Sequence, residues 1–278
     1  MKKIHFDPGH GKKGNPGDPG AVNEKEGLIE SDIVLDIAKR VHRYLDENYQ
    51  GFVVQYTRTD DTFLSLSARS KKANDWGADV FVSFHINAAG GSGFESFIHP
   101  NASKGSVALQ NMINQRAIPT AAKHGLGEHG IAYKKGNLAV LRLTHMPAVL
   151  TETCFLDNAK DIALLKNDDF LHDMAVSYAI SIAEYLGLQK IEKAPNKASV
   201  APDKGKVQMV KIIHKDKKDP LAVHNIASFS QKSVVGHVKE GEAFTIKRLI
   251  ENKEGRFYEL ASGLYITASP KYVKVIYK

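Results

Sequence analysis

The amino-acid sequence predicts an α/β domain followed by a small all-β domain. In roughly the first two thirds of the 278 residues, β-rich runs alternate with helical periodicity, as in a sheet with helices on both faces. The last third holds short apolar runs between glycine or charged turns, which favours a small β-barrel. The intervening segment KIEKAPNKASVAPDKGK is typical of a linker. We therefore predict domains over 1–189 and 207–278, with a linker over 190–206.

Individual elements of the first domain follow from local patterns. Strands are predicted at the β-rich runs 2–6, 52–57, 79–84, 93–98 and 148–152. Helices are predicted at 31–48, 65–76, 104–125 and 169–186. The first helix has apolar residues at every fourth position, namely Ile33, Ile37, Val41 and Leu45, with Ser31 placed to cap its N-terminus. Glu30 then lies at the helix entrance.

Charge is divided unevenly along the chain. Residues 1–189 carry 20 Lys+Arg and 22 Asp+Glu, whereas residues 190–278 carry 18 and 9, so the net charges are −2 and +9. A basic C-terminal segment suits nucleic acid, an anionic membrane or an anionic cell-wall polymer. The segment lacks an arginine-rich helix and clustered stacking aromatics. We therefore predict no nucleic-acid partner, and an anionic membrane and an anionic wall polymer both remain open at this point.

Three further sequence features bear on membrane insertion, on cysteine chemistry and on export. The sequence contains no apolar run of about 18 residues, so we predict no membrane insertion. The single cysteine, Cys154, excludes an internal disulfide and a cysteine-rich zinc site. The first predicted strand ends at Phe6 and is followed at once by DPGH, so we expect no basic and apolar leader. We predict a protein made in a reducing cytoplasm without a signal peptide.

Polar residues mark the ends of three predicted strands. His10 follows the first strand, His85 ends the apolar run ADVFVSFHINA, and Glu152 ends the strand in PAVLTETCF. Each residue alone could simply cap the sheet. Parallel strands, however, would bring all three to the carboxyl edge, where open α/β sheets bind ligands. The pattern therefore predicts a functional site at this edge.

Two histidines and a carboxylate form the ligand set of a catalytic zinc site, with a fourth position left for water. Zinc lowers the pKa of bound water to about 7, and a carboxylate that is not a ligand can move the proton to a leaving amine. We predict one Zn²⁺ held by His10, Glu30 and His85, with Glu152 as the catalytic base of an amide hydrolysis. Glu24 and Glu26 lie close to Glu30 in the sequence and remain alternative ligands.

Four segments in order resemble the zinc-dependent N-acetylmuramoyl-L-alanine amidases of the amidase 3 type. They are DPGHG…GDPGAV, GLIESDIVLDIAKRV, VFVSFHINA…GSGFESFIHP and NLAVLRLTHMPAVLTETCFLDN. The resemblance implies a mixed, mostly parallel twisted sheet flanked by helices. It also implies hydrolysis of the bond between N-acetylmuramic acid and L-alanine in peptidoglycan, with zinc on His10, Glu30 and His85 and catalysis by Glu152.

Two more residues could line the cleft. Glu95 follows a glycine-rich turn and resembles a recurrent position of the family, where a role behind the ligands or in the cleft is possible. Asn87 follows His85 closely and could help to hold the adjoining loop.

The C-terminal segment resembles a bacterial SH3-like wall-binding domain. The similarity lies in VVGHVKEGE, FYEL and GLYITASPKYV. An amidase joined to such a domain, without an export signal, resembles a phage endolysin that reaches the cell wall after release. The alternatives are a host autolysin, a non-catalytic wall-binding protein and a zinc peptidase that cuts within the stem peptide.

Overall fold

The computed structural model describes residues 1–88, 90–191, 208–214, 221–227, 233–252 and 255–277. Contacts between Cα atoms divide the chain into two compact units, Met1–Ile191 and Glu192–Lys278. The predicted linker over 190–206 lies outside the described residues from residue 192 onward.

The first unit contains ten strands and six helices among its described residues. The strands are β1 (Lys2–Pro8), β2 (Val22–Asn23), β3 (Leu28–Ile29), β4 (Tyr49–Gln50), β5 (Phe52–Tyr56), β6 (Val80–Asn87), β7 (Phe94–Ile98), β8 (Glu128–Lys135), β9 (Ala148–Phe155) and β10 (Gln189–Lys190). The helices are α1 (Glu30–Asn48), α2 (Leu66–Trp76), α3 (Lys104–Lys123), α4 (Ala139–Arg142), α5 (Ala159–Leu165) and α6 (Asp168–Leu186).

Six of these strands form one sheet in the order β5-β1-β6-β9-β7-β8. The strands β5, β1, β6 and β9 run parallel to one another. By contrast, β7 runs antiparallel to β9, and the edge strand β8 is parallel to β7. The predicted α/β class is therefore confirmed, with a mixed sheet.

Helices cover both faces of the sheet because its central strands are apolar on both sides. Along β6, Val82 and Phe84 belong to the large core under α1, α3 and α6. Phe81 points to the opposite face and packs with residues of α2, α4 and β9 in a smaller core. A strand buried on both faces reads as a continuous apolar run rather than an alternating one.

The start of α1 differs from the prediction. Ile29, not Ser31, is the N-cap residue, and its side chain makes no capping hydrogen bond. Ser31 is buried, and its hydroxyl has no hydrogen-bond partner. The preceding loop caps the helix instead, because the backbone N–H groups of Glu30 and Ser31 donate to the carbonyls of Ala21 and Pro19 at 2.9 and 3.1 Å.

Seven elements of the first unit were not predicted from the sequence: the two-residue strands β2, β3, β4 and β10, the strand β8, and the helices α4 and α5. The strand β8 has mostly exposed residues, so it lacks the apolar run that marks a buried strand. The helices α4 and α5 are too short to give clear periodicity. Asn158 caps α5 by accepting from the N–H groups of Lys160 and Asp161, so a capping signal was present.

The second unit is β-rich. Its described strands are β11 (Gln208–Ile212), β12 (Leu221–His224), β13 (Val234–Val238), β14 (Ala243–Asn252), β15 (Gly255–Leu260), β16 (Tyr265–Thr267) and β17 (Val273–Tyr277). They form a seven-stranded sheet in the order β13-β12-β16-β15-β14-β11-β17, around a core that includes Val210, Ile212, Leu260 and Ile266. The small β domain is thus confirmed, and its SH3-like barrel stays a prediction.

Among the described residues, no helix has both the length and the apolar character that a membrane crossing requires.

His5 on β1 should make the stability of the protein sensitive to acid. The ring is buried and stacks on Phe81, with Nδ1 3.0 Å from Gln55 Oε1 and Nε2 3.0 Å from Thr57 Oγ1. Burial lowers the pKa of His5 to about 4, so below about pH 6.5 the unfolded chain binds a proton that the folded chain resists. The His5 contribution is complete above this pH and decreases as the pH falls toward 4. At pH 5 the free energy of unfolding should therefore be about 2 kcal/mol lower than at neutral pH because of His5.

Urea unfolding of the full chain at pH 7 and pH 5 measures this effect. His5→Gln should lose about 2 kcal/mol less than the wild type between the two pH values, because other titrating groups are common to both proteins. His145→Gln, at an exposed position, is the control and should keep the wild-type pH dependence. An equal loss in the wild type and His5→Gln would show that His5 does not titrate as described.

Candidate active site

The site lies along a row that crosses three adjacent strands. Glu152 on β9 is the register partner of His85 on β6 and of Glu95 on β7. Two strands contribute residues near their carboxyl ends, and the antiparallel β7 contributes one near its start. His85 and Glu152 lie within their strands rather than after them, since β6 continues to Asn87 and β9 to Phe155.

His10, Glu30 and His85 come together beside this row. Each offers one ligand atom, and these atoms lie within 4.8 Å of one another. Glu30 Oε1 is 3.2 Å from His10 Nε2 and 3.0 Å from His85 Nδ1. Close approach requires glycine at Gly9 and Gly20, where an added Cβ would lie 2.3 Å from His85 Cε1 and 2.5 Å from Glu30 Oε2.

Glu30 is a buried carboxylate with several partners. It is 4% exposed, and besides the two histidines it accepts hydrogen bonds from the N–H groups of Ala21 at 2.8 Å and Ile86 at 3.0 Å. Although burial opposes ionisation, the imidazole groups of His10 and His85 beside the carboxylate lower the pKa of Glu30 below its usual range. The carboxylate is therefore held ionised, as a metal ligand must be.

Two buried arginines hold the segment that carries His10. Arg69 donates to the carbonyl of His10 at 2.6 Å and to Asp7 Oδ1 at 2.9 Å. Arg58 donates to the carbonyls of Gly9 at 2.7 Å and Ser31 at 2.6 Å. His10 adopts a left-handed backbone with φ of 61°, which is uncommon for a residue other than glycine. The sequence prediction included neither arginine, since a single basic residue in a helix or turn gives no functional signal.

These residues fit a zinc ion. Two imidazole nitrogens and a carboxylate oxygen are typical zinc ligands, and their donor atoms converge on one point. The alternative ligand Glu26 instead pairs with Lys166 at 2.7 Å, and Glu24 is exposed. Of the three glutamates close in sequence, the structure therefore places Glu30 with the histidines.

Glu152 differs from Glu30 in having an unpaired oxygen. Its Oε2 atom is buried and has no hydrogen-bond partner. Burial raises the pKa of Glu152 well above its usual range, and the nearby carboxylates of Glu30 and Glu95 raise it further. A carboxyl group with a raised pKa holds a proton more readily than an exposed glutamate does.

Glu95 and Asn87 form a polar group next to Glu152. Glu95 is 2% exposed and accepts a hydrogen bond from Asn87 Nδ2 at 2.7 Å. Its other oxygen forms an ion pair with Lys134 of the edge strand β8. The structure thus brings both residues to the same edge, together with a lysine that the sequence did not indicate.

This geometry defines an α/β protein with a candidate metal site and an adjacent buried carboxyl group. Residues 4–184 match the family described as N-acetylmuramoyl-L-alanine amidase, Amidase_3. The chain belongs to this family. Residues 204–273 match a domain of unknown function, DUF5776.

Individual relatives agree with this membership. The chain is 42% identical to the endolysin of Bacillus phage SPP1, over 99% of this chain and 98% of the relative. It is 37% identical to the sporulation-specific N-acetylmuramoyl-L-alanine amidase of Bacillus subtilis, over 68% of this chain and 70% of the relative. The solved catalytic domain of CwlV, an N-acetylmuramoyl-L-alanine amidase from Bacillus (Paenibacillus) polymyxa, is similar with a TM-score of 0.60 and 37% identity. That match covers 68% of this chain and 100% of the CwlV chain.

The pair formed by Lys134 and Glu95 should be needed for stability. Lys134→Met leaves the buried Glu95 carboxylate without its cation and should lower the free energy of unfolding by about 2–3 kcal/mol. Adding Glu95→Gln removes the unpaired charge and should restore at least half of this loss. Denaturant unfolding of the wild type, Lys134→Met, Glu95→Gln and the double variant measures the coupling energy between Lys134 and Glu95.

The neighbouring Lys135, which is exposed, provides a matched control. Lys135→Met should change the free energy of unfolding by no more than about 0.5 kcal/mol. If Lys134→Met were as stable as Lys135→Met, the ion pair would contribute nothing to the fold.

Proposed function

We propose that this protein is a zinc-dependent peptidoglycan amidase that cleaves the bond between the lactyl group of N-acetylmuramic acid and L-alanine of the stem peptide. Amidase activity on peptidoglycan rests on the family match and on relatives at 37–42% identity. The observation that carries the mechanism is the convergence of His10, Glu30 and His85 beside the unpaired oxygen of Glu152.

His10, Glu30 and His85 would hold the zinc ion. When bound, zinc lowers the pKa of water to about 7 and polarises a carbonyl group. The chain's own residues then have separate tasks. His10 and His85 contribute neutral nitrogen donors, and Glu30 contributes a carboxylate that stays ionised despite its burial.

Glu152 would act as the proton carrier. Its free Oε2 can accept a proton from the attacking water and return it to the amide nitrogen as the carbon–nitrogen bond breaks. The products are then a free lactyl carboxylate on the muramic acid and a free amino group on L-alanine. Glu95 would line the cleft next to Glu152, held by Asn87 and Lys134.

The same chemistry could serve a zinc peptidase that cuts within the stem peptide, and the amidase is favoured by the family alone. A non-catalytic wall-binding protein is disfavoured, because His10, Glu30, His85 and Glu152 are all retained, and Glu152 is the register partner of His85. Product analysis distinguishes the three activities.

For biological role, we propose lysis of a bacterial host by a phage. The similarity to the endolysin of Bacillus phage SPP1 extends over 99% of this chain and includes the C-terminal unit. The similarity to the sporulation-specific amidase covers only 68% of this chain. A host autolysin of the same activity is the alternative.

We assign wall binding to the C-terminal unit, as an SH3-like domain. The segment 190–278 has 18 basic and 9 acidic residues, which would attract a wall polymer rich in phosphate and carboxylate. Attachment to an insoluble polymer raises the local concentration of the substrate for the first unit.

Purified cell wall incubated with the wild type should release N-terminal alanine without new reducing sugar ends. Glu152→Ala should lower this release by about 100-fold or more, because the step loses its proton carrier. Glu24→Gln, at the exposed alternative position, should keep wild-type activity. Chelation should abolish release, and added zinc should restore it.

Other products would contradict the proposal in different ways. New amino groups on other amino acids would identify a peptidase, and reducing ends would identify a glycosidase. No release from a wild type that sediments with the wall would identify a binding protein. Unchanged activity after complete removal of metal would refute the zinc mechanism.

The wall-binding role can be tested with fragment 1–191, which has its own large apolar core. The full chain should sediment with purified wall, and this binding should weaken as salt screens the charge. The fragment should stay in the supernatant and keep its activity on a soluble muropeptide. Equal sedimentation of both proteins would place the wall contact in the first unit.

A further inference from the structure

Asp18 makes two side-chain contacts at the edge of the candidate zinc site. Its Oδ2 atom lies 2.7 Å from His10 Nδ1, and its Oδ1 accepts a hydrogen bond from the N–H group of Gly20 at 2.9 Å. Both carboxylate oxygens are thus engaged, and the carboxylate has one defined orientation relative to the His10 ring.

The backbone of Asp18 is tied to the same ligand. The N–H group of Gly11 donates to the Asp18 carbonyl at 2.6 Å, and the N–H group of Asp18 donates to the Gly11 carbonyl at 2.8 Å. Gly11 directly follows His10 in the chain. The loop therefore returns to the residue next to the ligand, and this pairing places the Asp18 side chain against the ring.

The rest of this loop is held from outside the site. Lys12 Nζ lies 2.7 Å from Asp32 Oδ2, and the backbone of Lys13 pairs with Asp61 and Phe63 at 2.8 and 2.7 Å. These contacts fix the course of the loop without touching His10. Asp18 differs from Lys12 and Lys13, because its side chain contacts the ring of the candidate ligand His10.

The chemical consequence concerns which ring nitrogen is free. A neutral imidazole that donates from Nδ1–H to a carboxylate keeps its lone pair on Nε2. In His10, Nε2 is the nitrogen that lies 3.2 Å from Glu30 Oε1. Carboxylates behind metal-binding histidines set the tautomer and the ring orientation in this way.

His85 has no equivalent support. Among the described residues, its one carboxylate at ion-pair distance is Glu30, which lies on the ligand side at Nδ1. Its ring packs closely against Gly9, where an added Cβ would lie 2.3 Å from His85 Cε1 and 2.5 Å from Nε2. Packing thus orients one histidine, whereas a carboxylate orients the other.

We propose that Asp18 is a positioning residue that holds His10 in the tautomer and orientation required to bind zinc through Nε2. This inference rests on the proposed zinc site. Loss of the carboxylate should leave the fold intact and weaken zinc binding by about 10–100-fold.

The test measures zinc affinity directly, by competition with a chromophoric chelator, using the full chain. Asp18→Ala and the nearly isosteric Asp18→Asn are compared with Asp32→Asn. This control removes a carboxylate that contacts the same loop through Lys12 and does not touch His10. Thermal unfolding of each metal-free protein identifies any variant that fails to fold.

We expect Asp18→Ala to bind zinc about 10–100-fold more weakly than the wild type, with Asp32→Asn within about twofold. The metal-free unfolding midpoints should agree. If either Asp18 variant keeps the wild-type midpoint and binds zinc within twofold of the wild type, the proposal is refuted. A wild type that binds no zinc would refute the proposed zinc site itself, so the two failures are distinguishable.

Discussion

The buried carboxylate of Glu30 is the interaction on which the rest of the site depends. A charge that is 4% exposed is costly unless hydrogen bonds and opposite charge compensate for it. Its partners come from three separate parts of the chain: the loop before α1, the strand β6 and the turn after β1. Satisfying this carboxylate therefore joins the three segments that carry the candidate ligands.

The position of Glu30 in α1 strengthens this arrangement. Glu30 is the first residue of the helix, where the positive end of the helix dipole favours an anion. The loop supplies backbone carbonyls to the first N–H groups of the helix, so the helix end needs no Ser or Asp cap. Glycine at Gly20 lets this loop pass over the carboxylate and the His10 ring. The same few residues cap the helix and enclose the site.

Sequence reasoning predicted the parts of the site that strong local patterns mark. Glu30 begins an amphipathic helix, whereas His85 and Glu152 lie near the carboxyl ends of apolar parallel strands, so topology brings these two residues to one sheet edge. The family resemblance added the substrate bond, which periodicity does not contain. Lys134 was missed because β8 has no buried apolar run, and Asp18 because its role depends on how a glycine-rich loop folds back. Ser31 was assigned to a cap that backbone carbonyls provide.

The mixed direction of the sheet explains how one edge can supply two carboxylates with different properties. Because β7 is antiparallel to β9, Glu95 near its start becomes the register partner of Glu152 near the end of β9. Glu95 forms an ion pair with Lys134 and accepts a hydrogen bond from Asn87, whereas Glu152 keeps one oxygen without a partner. A parallel β7 would place its first residues at the opposite edge of the sheet, and Glu152 would lose its anionic neighbour. The reversed strand therefore places an ion-paired carboxylate beside Glu152, where its negative charge raises the proton affinity of the unpaired one.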